Sequence, residues 1–430
     1  MATFLPAATA AACDICSWGS AHADGTPFPV EDRIAAYNAN LAPGQRPIDL
    51  NNYGPNAAIA EIGPGGTTQQ VFVDFSGAIP GVYSPAEQAS VITGLSNLFA
   101  GFDINFSLTD PAGADTDLVF DAFGLGGIAV TGIDFRNISA SDLAFIGTDG
   151  LLGFSSAEQV NYAINVGGHE LGHTLGLRHH DAFGPIGSGV PSTGLETGFV
   201  PSFPGGTAAN EFFGNTMSTP AFGGDFGVFF SGFTNFSDRS AIKLQFAAVD
   251  DIIPEAAGFN NTLATAQPIE LQLLDLSGIQ PIGEEFFGED VPVRANAVTG
   301  TLSSAADLDV FEIQLFAGNL LSVEIVSESV AERFTDLIDA EVTVLDEDGN
   351  PLDYFGTSAF NDDEIETLDS FIFDLLIPED GTYFVEVDAT SLNPTGSYEV
   401  FFASVGFIPE PGSLALAGVA GLALLRRRVG

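Results

Sequence analysis

The sequence predicts an α+β domain, in which a mixed twisted sheet packs against helices, followed by an all-β sandwich and a short C-terminal hydrophobic helix. Up to about residue 252, segments with helical spacing alternate with strand-like segments. From about 253–260 onwards the pattern changes to short alternating strands separated by turns such as DEDGN and PEDGT, which is typical of an antiparallel sandwich. A chain of 430 residues is long enough for two or three domains, each with its own core.

These changes divide the chain into five regions. Residues 1–65 are rich in Ala, Pro, Asn and Gly with little periodicity, and we expect a leader or propeptide there. The other predicted regions are an α+β domain over 66–252, a linker over 253–258, a β-sandwich over 259–405 and a separate C-terminal segment over 406–430.

The predicted α+β domain begins with a strand at 68–77, where apolar and polar residues alternate. A helix is predicted over 84–102, because apolar residues recur at helical intervals and Ser84 stands three residues before Glu87, as in a capping box. Four further strand-like segments precede a long helix, and a last helix is predicted over 237–251.

The long helix has about twenty residues and carries most of the histidines of the chain. Ser155 and Glu158 form a second capping box at its start. Gly167 and Gly168 lie in its interior, where each costs about 1 kcal/mol relative to alanine. We therefore expect the sheet or another backbone to approach the helix closely at these glycines. A long loop rich in Gly, Pro and Phe follows over 181–214.

The charge of the chain is strongly unbalanced, with 57 acidic and 11 basic residues and a formal net charge of −46. Nucleic acids and anionic membrane surfaces attract positively charged proteins, so binding to either is not expected. A secreted protein, a salt-rich habitat and many calcium ligands all fit this composition.

Two cysteines, Cys13 and Cys16, form a C-x-x-C motif near the N-terminus. A redox pair and half a zinc site are disfavoured, because the chain has no second C-x-x-C and no βαβ context around this one. A local disulfide, or two free thiols in a removable leader, is the favoured interpretation. A propeptide thiol that caps an active-site metal is a further alternative.

Four of the five histidines lie in the stretch GGHELGHTLGLRHH, residues 167–180. His169 and His173 are four residues apart on the predicted helix, so their imidazoles project side by side and can bind one zinc ion. Gly176 can end the helix with a positive φ, and His179 can then supply a third ligand from outside the helix. Three protein ligands leave one position for water, as in catalytic zinc sites, and Glu170 can act as general base on that water. His180 is a neighbour of the site.

The segment HELGHTLGLRH resembles the extended zinc motif of the metzincin metallopeptidases. Its sequence looks most similar to those of the matrixin and serralysin-like branches. This resemblance implies His169, His173 and His179 as zinc ligands and Glu170 as the catalytic general base. The family also has a methionine turn beneath the metal, and Met217 in GNTMSTP, 38 residues after His179, is the candidate. The chain departs from serralysin-like enzymes because Thr219 stands where they have a tyrosine, and because their calcium-binding nonapeptides are absent.

The C-terminal half resembles the bacterial pre-peptidase C-terminal domain, in segments such as ADLDVFEIQLFAGNLLSVEI, IPEDGTYFVEVDA and TGSYEVFF. The resemblance covers nearly all of 259–403 and implies a jelly-roll-like accessory sandwich of secreted peptidases, without catalytic residues. Four acidic residues of this region are either Ca²⁺ ligands or solvated turn residues: Asp307, Asp309, Asp362 and Asp363.

The C-terminus has three consecutive parts: a Pro-Glu-Pro turn at 409–411, an apolar run over 414–425 and three arginines at 426–428. The apolar run is shorter than the ~20 residues of a stable bilayer span, and the arginines would stay on the cytoplasmic side. This tail resembles the PEP-CTERM sorting signal of Gram-negative bacteria. The resemblance implies export, transient anchoring in the inner membrane and cleavage by an exosortase-type sorting enzyme, so 406–430 is predicted to be the sorting segment.

These expectations together describe a secreted zinc-dependent endopeptidase that acts on protein and peptide substrates at the cell surface or outside the cell. The alternative is a cell-surface or biofilm-matrix binding protein whose peptidase domain is idle. The presence of Glu170 beside a complete set of three ligands favours the enzyme.

Overall fold

The structure is a computed structural model with a mixed α/β fold, several β-sheets and few helices. It describes residues 69–110, 116–129, 142–189, 214–218, 228–232, 234–249, 252–256, 260–327, 338–362, 369–390 and 394–408. The predicted leader, the cysteine pair, Thr219, Asp363 and the tail from residue 409 lie outside these ranges. The predicted C-terminal hydrophobic helix therefore falls outside the described part. Within that part, no helix has the length and apolar character needed to span a bilayer.

The N-terminal sheet has five strands in the order β2-β1-β3-β5-β4. Its strands are β1 (Gln69–Gly77), β2 (Ile104–Ser107), β3 (Thr116–Gly124), β4 (Gly126–Ala129) and β5 (Asp142–Asp149). All neighbouring pairs are parallel except β4 with β5, which is antiparallel. The sheet is therefore mixed, as the sequence predicts, and β4 is the last strand on one side of the described sheet.

Among the described residues, four α-helices accompany this sheet: α1 (Pro85–Leu98), α2 (Ser156–Thr174), α3 (Val228–Ser231) and α4 (Asp238–Val249). Both predicted capping boxes are present, at Ser84 with Glu87 and at Ser155 with Glu158. Their glutamates accept hydrogen bonds from the backbone N–H groups of the two serines, at 2.6 and 2.8 Å. These contacts fix the starts of α1 and α2.

The glycines inside α2 allow close packing on two sides. A Cβ atom at Gly167 would lie 3.2 Å from Leu118 of the sheet, and one at Gly168 would overlap the Leu98 side chain of α1. Gly94 of α1 meets α2 in the same way, because a Cβ there would overlap the Ile164 side chain. The two helices therefore cross where neither has room for a further side chain.

Replacing Gly94 by alanine is expected to lower the free energy of unfolding by about 1–2 kcal/mol. Overpacking a core costs about 1–3 kcal/mol, and this outweighs the gain of about 1 kcal/mol in helix propensity. Chemical denaturation of Gly94→Ala would measure the loss, and the same substitution in an Ile164→Ala background should cost less. An equal loss in both backgrounds would contradict the steric explanation.

Two C-terminal sheets share one buried core, to which both contribute apolar side chains such as Phe311 and Val385 from one and Val323 and Phe402 from the other. One sheet has the order β15-β12-β17-β10-β7, and the other has the order β16-β11-β18-β9-β6, with β8 also paired to β9. We call the described residues between 253 and 408 the C-terminal sandwich. Its strands are β6 (Ile253–Pro254), β7 (Gln267–Ile269), β8 (Gln272–Leu274), β9 (Val293–Leu302), β10 (Asp309–Leu315), β11 (Leu320–Val326), β12 (Ala340–Leu345), β13 (Asp353–Tyr354), β14 (Thr357–Ser358), β15 (Phe360–Asn361), β16 (Ser370–Leu376), β17 (Gly381–Ala389) and β18 (Gly396–Val405), with a short helix α5 (Glu284–Phe287).

The segment between the two parts differs from the predicted linker over 253–258. Its first two residues form β6, which pairs in parallel with β9, so that Ile253 lies opposite Val298. The chain thus leaves α4 and enters the edge of a sandwich sheet within a few residues. The reason is that Ile253 packs against the sandwich core as a half-buried apolar residue.

Candidate metal centre

The end of α2 turns the chain back towards its own last turn. The Leu177 N–H donates to the Gly172 carbonyl at 2.9 Å, and the Gly176 N–H donates to the His173 carbonyl at 3.0 Å. These two bonds define a Schellman motif, which requires the left-handed conformation that Gly176 adopts with φ of 93°. The reversal brings His179, the first residue of a short 3-10 helix (His179–Ala182), next to the helix.

The structure brings the imidazoles of His169, His173 and His179 together around one point. Their Nε2 atoms are 3.1 Å apart in the pairs His173–His169 and His173–His179, and 3.2 Å apart in the pair His169–His179. In a tetrahedral zinc site with Zn–N bonds of ~2.0–2.1 Å, the nitrogens are ~3.3–3.4 Å apart. All three residues are buried. The triangle has the size that a divalent transition-metal ion needs.

The two helix histidines are held in the tautomer that binds a metal through Nε2. His169 Nδ1 lies 2.7 Å from the Thr216 carbonyl, and His173 Nδ1 lies 2.8 Å from the Leu177 carbonyl. A carbonyl oxygen can only accept a hydrogen bond. In each ring, Nδ1 therefore carries the proton and Nε2 presents a lone pair to the centre. Burial, reinforced by the neighbouring His169 and His179, holds the pKa of His173 well below its usual value. Three imidazole nitrogens that converge on one point fit a bound cation.

Glu170 lies beside this triangle on the side of the N-terminal sheet. Its side chain is buried and lies directly against the backbone of Gly127 in β4, where a Cβ atom would overlap it. Tyr162 holds the same strand, because its hydroxyl accepts from the Gly126 N–H at 2.7 Å and donates to the Gly147 carbonyl at 2.9 Å. Burial raises the pKa of Tyr162, with a smaller contribution from Glu170, so the hydroxyl stays protonated. The carboxyl group of Glu170, the residue that follows His169, therefore lies against strand β4.

Met217 lies beneath the end of α2. It is fully buried, and its sulfur would be 2.6 Å from a Cβ atom at Gly172, the residue directly before His173. The turn that carries it is closed by a bond from the Ser218 N–H to the Asn215 carbonyl. The same turn contributes the Thr216 carbonyl to His169, so the predicted methionine turn and the histidines are in contact.

A buried polar network that the sequence analysis missed supports this turn. Asn165 is fully buried, and its side-chain NH₂ donates to the carbonyls of Phe229 and Gly232. Its oxygen accepts from the Thr234 N–H at 3.1 Å, and the Thr234 hydroxyl lies 3.0 Å from that of Thr216. The sequence signal that could have suggested this network is the position of Asn165, which lies four residues before His169 and therefore on the same face of the helix.

His180 turns away from the triangle and towards the C-terminal sandwich. Its ring centroid lies 4.7 Å from that of Phe371, and its Nε2 lies 3.3 Å from Glu324 Oε1. His180, Asp181 and Glu324 form a second group with metal-ligand chemistry among the described residues. The Lys243 ammonium lies within that group, 2.8 Å from Asp181 and 2.5 Å from Glu324. A cation of the protein itself therefore already bridges these two carboxyl groups.

Of the aspartates considered as calcium ligands, Asp307 and Asp309 are neighbours, and Asp362 lies at another point. Asp309 is buried and accepts a 2.6 Å hydrogen bond from the Tyr398 hydroxyl, while Asp307 accepts from Asn261 at 2.8 Å. Burial raises the pKa of Asp309 to about 7, and the neighbouring carboxylates act in the same direction. Asp362 follows β15 at another point of the sandwich. Neither metal-compatible group of the described residues includes these three, so calcium binding stays a prediction.

No family model matches this chain, and no curated protein matches it. Among solved structures it is similar to PliG of Aeromonas hydrophila, a periplasmic lysozyme inhibitor, with 12% identity over 32% of this chain and 95% of that chain and a TM-score of 0.20. It is also similar to the pre-peptidase C-terminal domain of Bacillus anthracis collagenase, with 16% identity over 24% and 85% of the two chains and a TM-score of 0.18. A further similar structure is that of myroilysin, with 16% identity over 28% of this chain and 52% of that chain and a TM-score of 0.20. Scores at this level carry no argument about the chain.

Proposed function

We propose that the protein is a zinc-dependent endopeptidase of the metzincin type, with one catalytic ion held by His169, His173 and His179. The observation that carries this proposal is the Nε2 triangle, with separations of 3.1–3.2 Å and a buried carboxylate beside it. Three imidazoles and an adjacent glutamate form a donor set that suits zinc and hydrolysis.

Each residue has a distinct part in the proposed reaction. Zinc, when bound, supplies Lewis-acid catalysis and lowers the pKa of a water ligand towards ~7. Glu170 accepts a proton from the attacking water and then donates it to the leaving amine, as a general base that becomes a general acid. Met217 supports the helix between the histidines, and the Thr216 carbonyl keeps the His169 ring in its tautomer.

The position of strand β4 favours a polypeptide as the substrate. It is the last strand of the described sheet, it is antiparallel to β5, and Gly127 on it touches Glu170. An extended polypeptide that adds to such an edge forms backbone hydrogen bonds whatever its sequence. A peptide carbonyl placed in this way would lie beside both the carboxylate and the histidines.

Export is part of the proposal on sequence grounds alone. The Pro-Glu-Pro, apolar and arginine parts of 406–430 support secretion in a Gram-negative bacterium, with transient inner-membrane anchoring and an exosortase-type partner. The segments quoted from 259–403 support a pre-peptidase C-terminal domain as the accessory sandwich.

Metal removal tests the proposal. The purified protein is expected to cleave casein or gelatin, to lose this activity on dialysis against a zinc chelator, and to regain it when about one equivalent of Zn²⁺ is added. Zymography and a fluorogenic peptide assay would measure the loss and the recovery. Cleavage that the chelator leaves unchanged, or no cleavage by the matured protein, would refute the zinc mechanism.

A further inference from the structure

We propose that the C-terminal sandwich positions the third histidine of the metal centre and thereby sets the affinity for the metal. This inference rests on the proposed function, since it takes His179 as a zinc ligand. It concerns residues 178–184, which we call the His179 turn. Unlike His169 and His173, His179 lies outside α2, so contacts other than the helix must hold it in place.

The residue before His179 is bound to the sandwich. Arg178 is among the largest fully buried side chains, and its Nη1 donates to Asp369 Oδ2 at 2.9 Å. Asp369 directly precedes β16, and its other oxygen accepts from the Ser327 N–H at 2.7 Å. Both partners of this ion pair are almost completely removed from water, so solvent screens it little.

The two residues after His179 are bound to the sandwich as well. His180 packs against Phe371 and Phe373 of β16, with its Nε2 3.3 Å from Glu324 of β11. Asp181 accepts a hydrogen bond from the Lys243 ammonium through Oδ2 at 3.0 Å, and the same ammonium contacts Glu324 at 2.5 Å. Strands β11 and β16 are paired with Glu324 opposite Phe371, so these contacts come from one patch of one sheet.

The end of the His179 turn has a third connection. Arg239 of α4 donates to the carbonyls of Phe183 and Gly184, at 2.9 and 3.1 Å, and forms an ion pair with Asp374 of β16. Asp374 has a φ of 55°, which is unusual for a residue other than glycine, and it is kept there by surrounding contacts. The turn is therefore connected to the sandwich on both sides of His179.

The charge of the chain makes this arrangement significant. The sequence has only 11 basic residues, and Lys243 is its single lysine. Lys243, Arg178 and Arg239 are all buried at this one interface. Burying charged groups is costly unless they are paired, so the interface is specific for one relative position of the two parts. The sandwich thus acts as a fixed support for the His179 turn.

Zinc affinity of sandwich variants tests this inference. Apo protein would be titrated with Zn²⁺ in competition with a chromogenic chelator, and with Co²⁺ followed by its visible absorption, which reports the geometry of the bound ion. Asp369→Asn and Glu324→Gln are expected to weaken Zn²⁺ binding about 10-fold or more and to change the Co²⁺ spectrum, as loss of groups that orient ligands typically does. Both residues belong to the sandwich, and none of their contacts described above is with a histidine of the triangle.

The control is Asp339→Asn. Asp339 is also a buried carboxylate of the sandwich, but it accepts from the Thr390 hydroxyl, at 2.5 Å, and has no contact with the His179 turn among those described. This variant should lose stability without a change in Zn²⁺ affinity. If Glu324→Gln does not fold, Phe371→Leu removes the ring contact with His180 without changing a charge and should weaken binding severalfold.

The outcomes separate the two proposals. Wild-type protein that binds no Zn²⁺ would overturn the proposed function, and this inference with it. Wild-type protein that binds one equivalent, together with folded Asp369→Asn and Glu324→Gln proteins of unchanged affinity and unchanged Co²⁺ spectrum, would overturn this inference alone. Equal weakening in Asp339→Asn would show that general destabilisation is the cause, and would overturn it too.

Discussion

Replacing Glu170 by glutamine is expected to lower kcat/KM for peptide cleavage by about 10²–10⁴-fold while leaving zinc bound. General acid–base catalysis contributes about this much, and the amide cannot accept the proton of the attacking water. Glutamine has the same shape as glutamate and fits the space against Gly127 without displacing β4. A fluorogenic peptide assay gives the rate, and metal analysis gives the zinc content.

The control for Glu170→Gln is Glu379→Gln, which changes an exposed carboxylate in a turn of the sandwich. It should leave both rate and zinc content unchanged. A Glu170→Gln protein that keeps one equivalent of zinc and near wild-type activity would exclude Glu170 as the general base.

Replacing His179 by alanine is expected to abolish cleavage and the stabilisation of the protein by zinc. A ligand present at about 1,000 times its Kd stabilises the folded state by about 4 kcal/mol. A site with two histidines instead of three would bind zinc too weakly to give this stabilisation. Calorimetry with zinc and with chelator measures the difference in Tm.

The neighbouring residue provides the comparison for His179→Ala. His180→Gln should keep a clear zinc-dependent rise in Tm, reduced in size, because His180 faces Glu324 and the phenylalanines of β16 rather than the triangle. Equal shifts in His179→Ala and wild type would remove His179 from the ligand set.

The features that the sequence predicts best depend on residues close together in the chain. The capping boxes at Ser84 and Ser155 are present as expected, and Gly176 ends α2 with a positive φ. Because the helix period sets the 169/173 pair and the glycine sets the reversal, local geometry directs the chain with the third histidine back towards them. The close approach expected at Gly167 and Gly168 is also found, against Leu118 and Leu98.

The features that the sequence does not predict depend on distant partners. Asn165 needs Thr234, 69 residues away, and Arg178 needs Asp369, 191 residues away. Neither pair has a spacing that identifies it, since tertiary packing brings them together. Met217 is predicted from a family pattern and not from its contacts. Its contact with Gly172 depends on the fold, which local sequence patterns do not predict.

The partners of the helix histidines bear on how the centre responds to acid. Both Nδ1 protons go to backbone carbonyls, those of Thr216 and Leu177, rather than to carboxylates. A carbonyl does not titrate in the range where proteins work, so these two supports persist as the medium becomes acidic. In the proposed metal centre, loss of the ion in acid is therefore expected to come from protonation of the imidazoles in competition with the ion, and not from earlier failure of the groups that orient them.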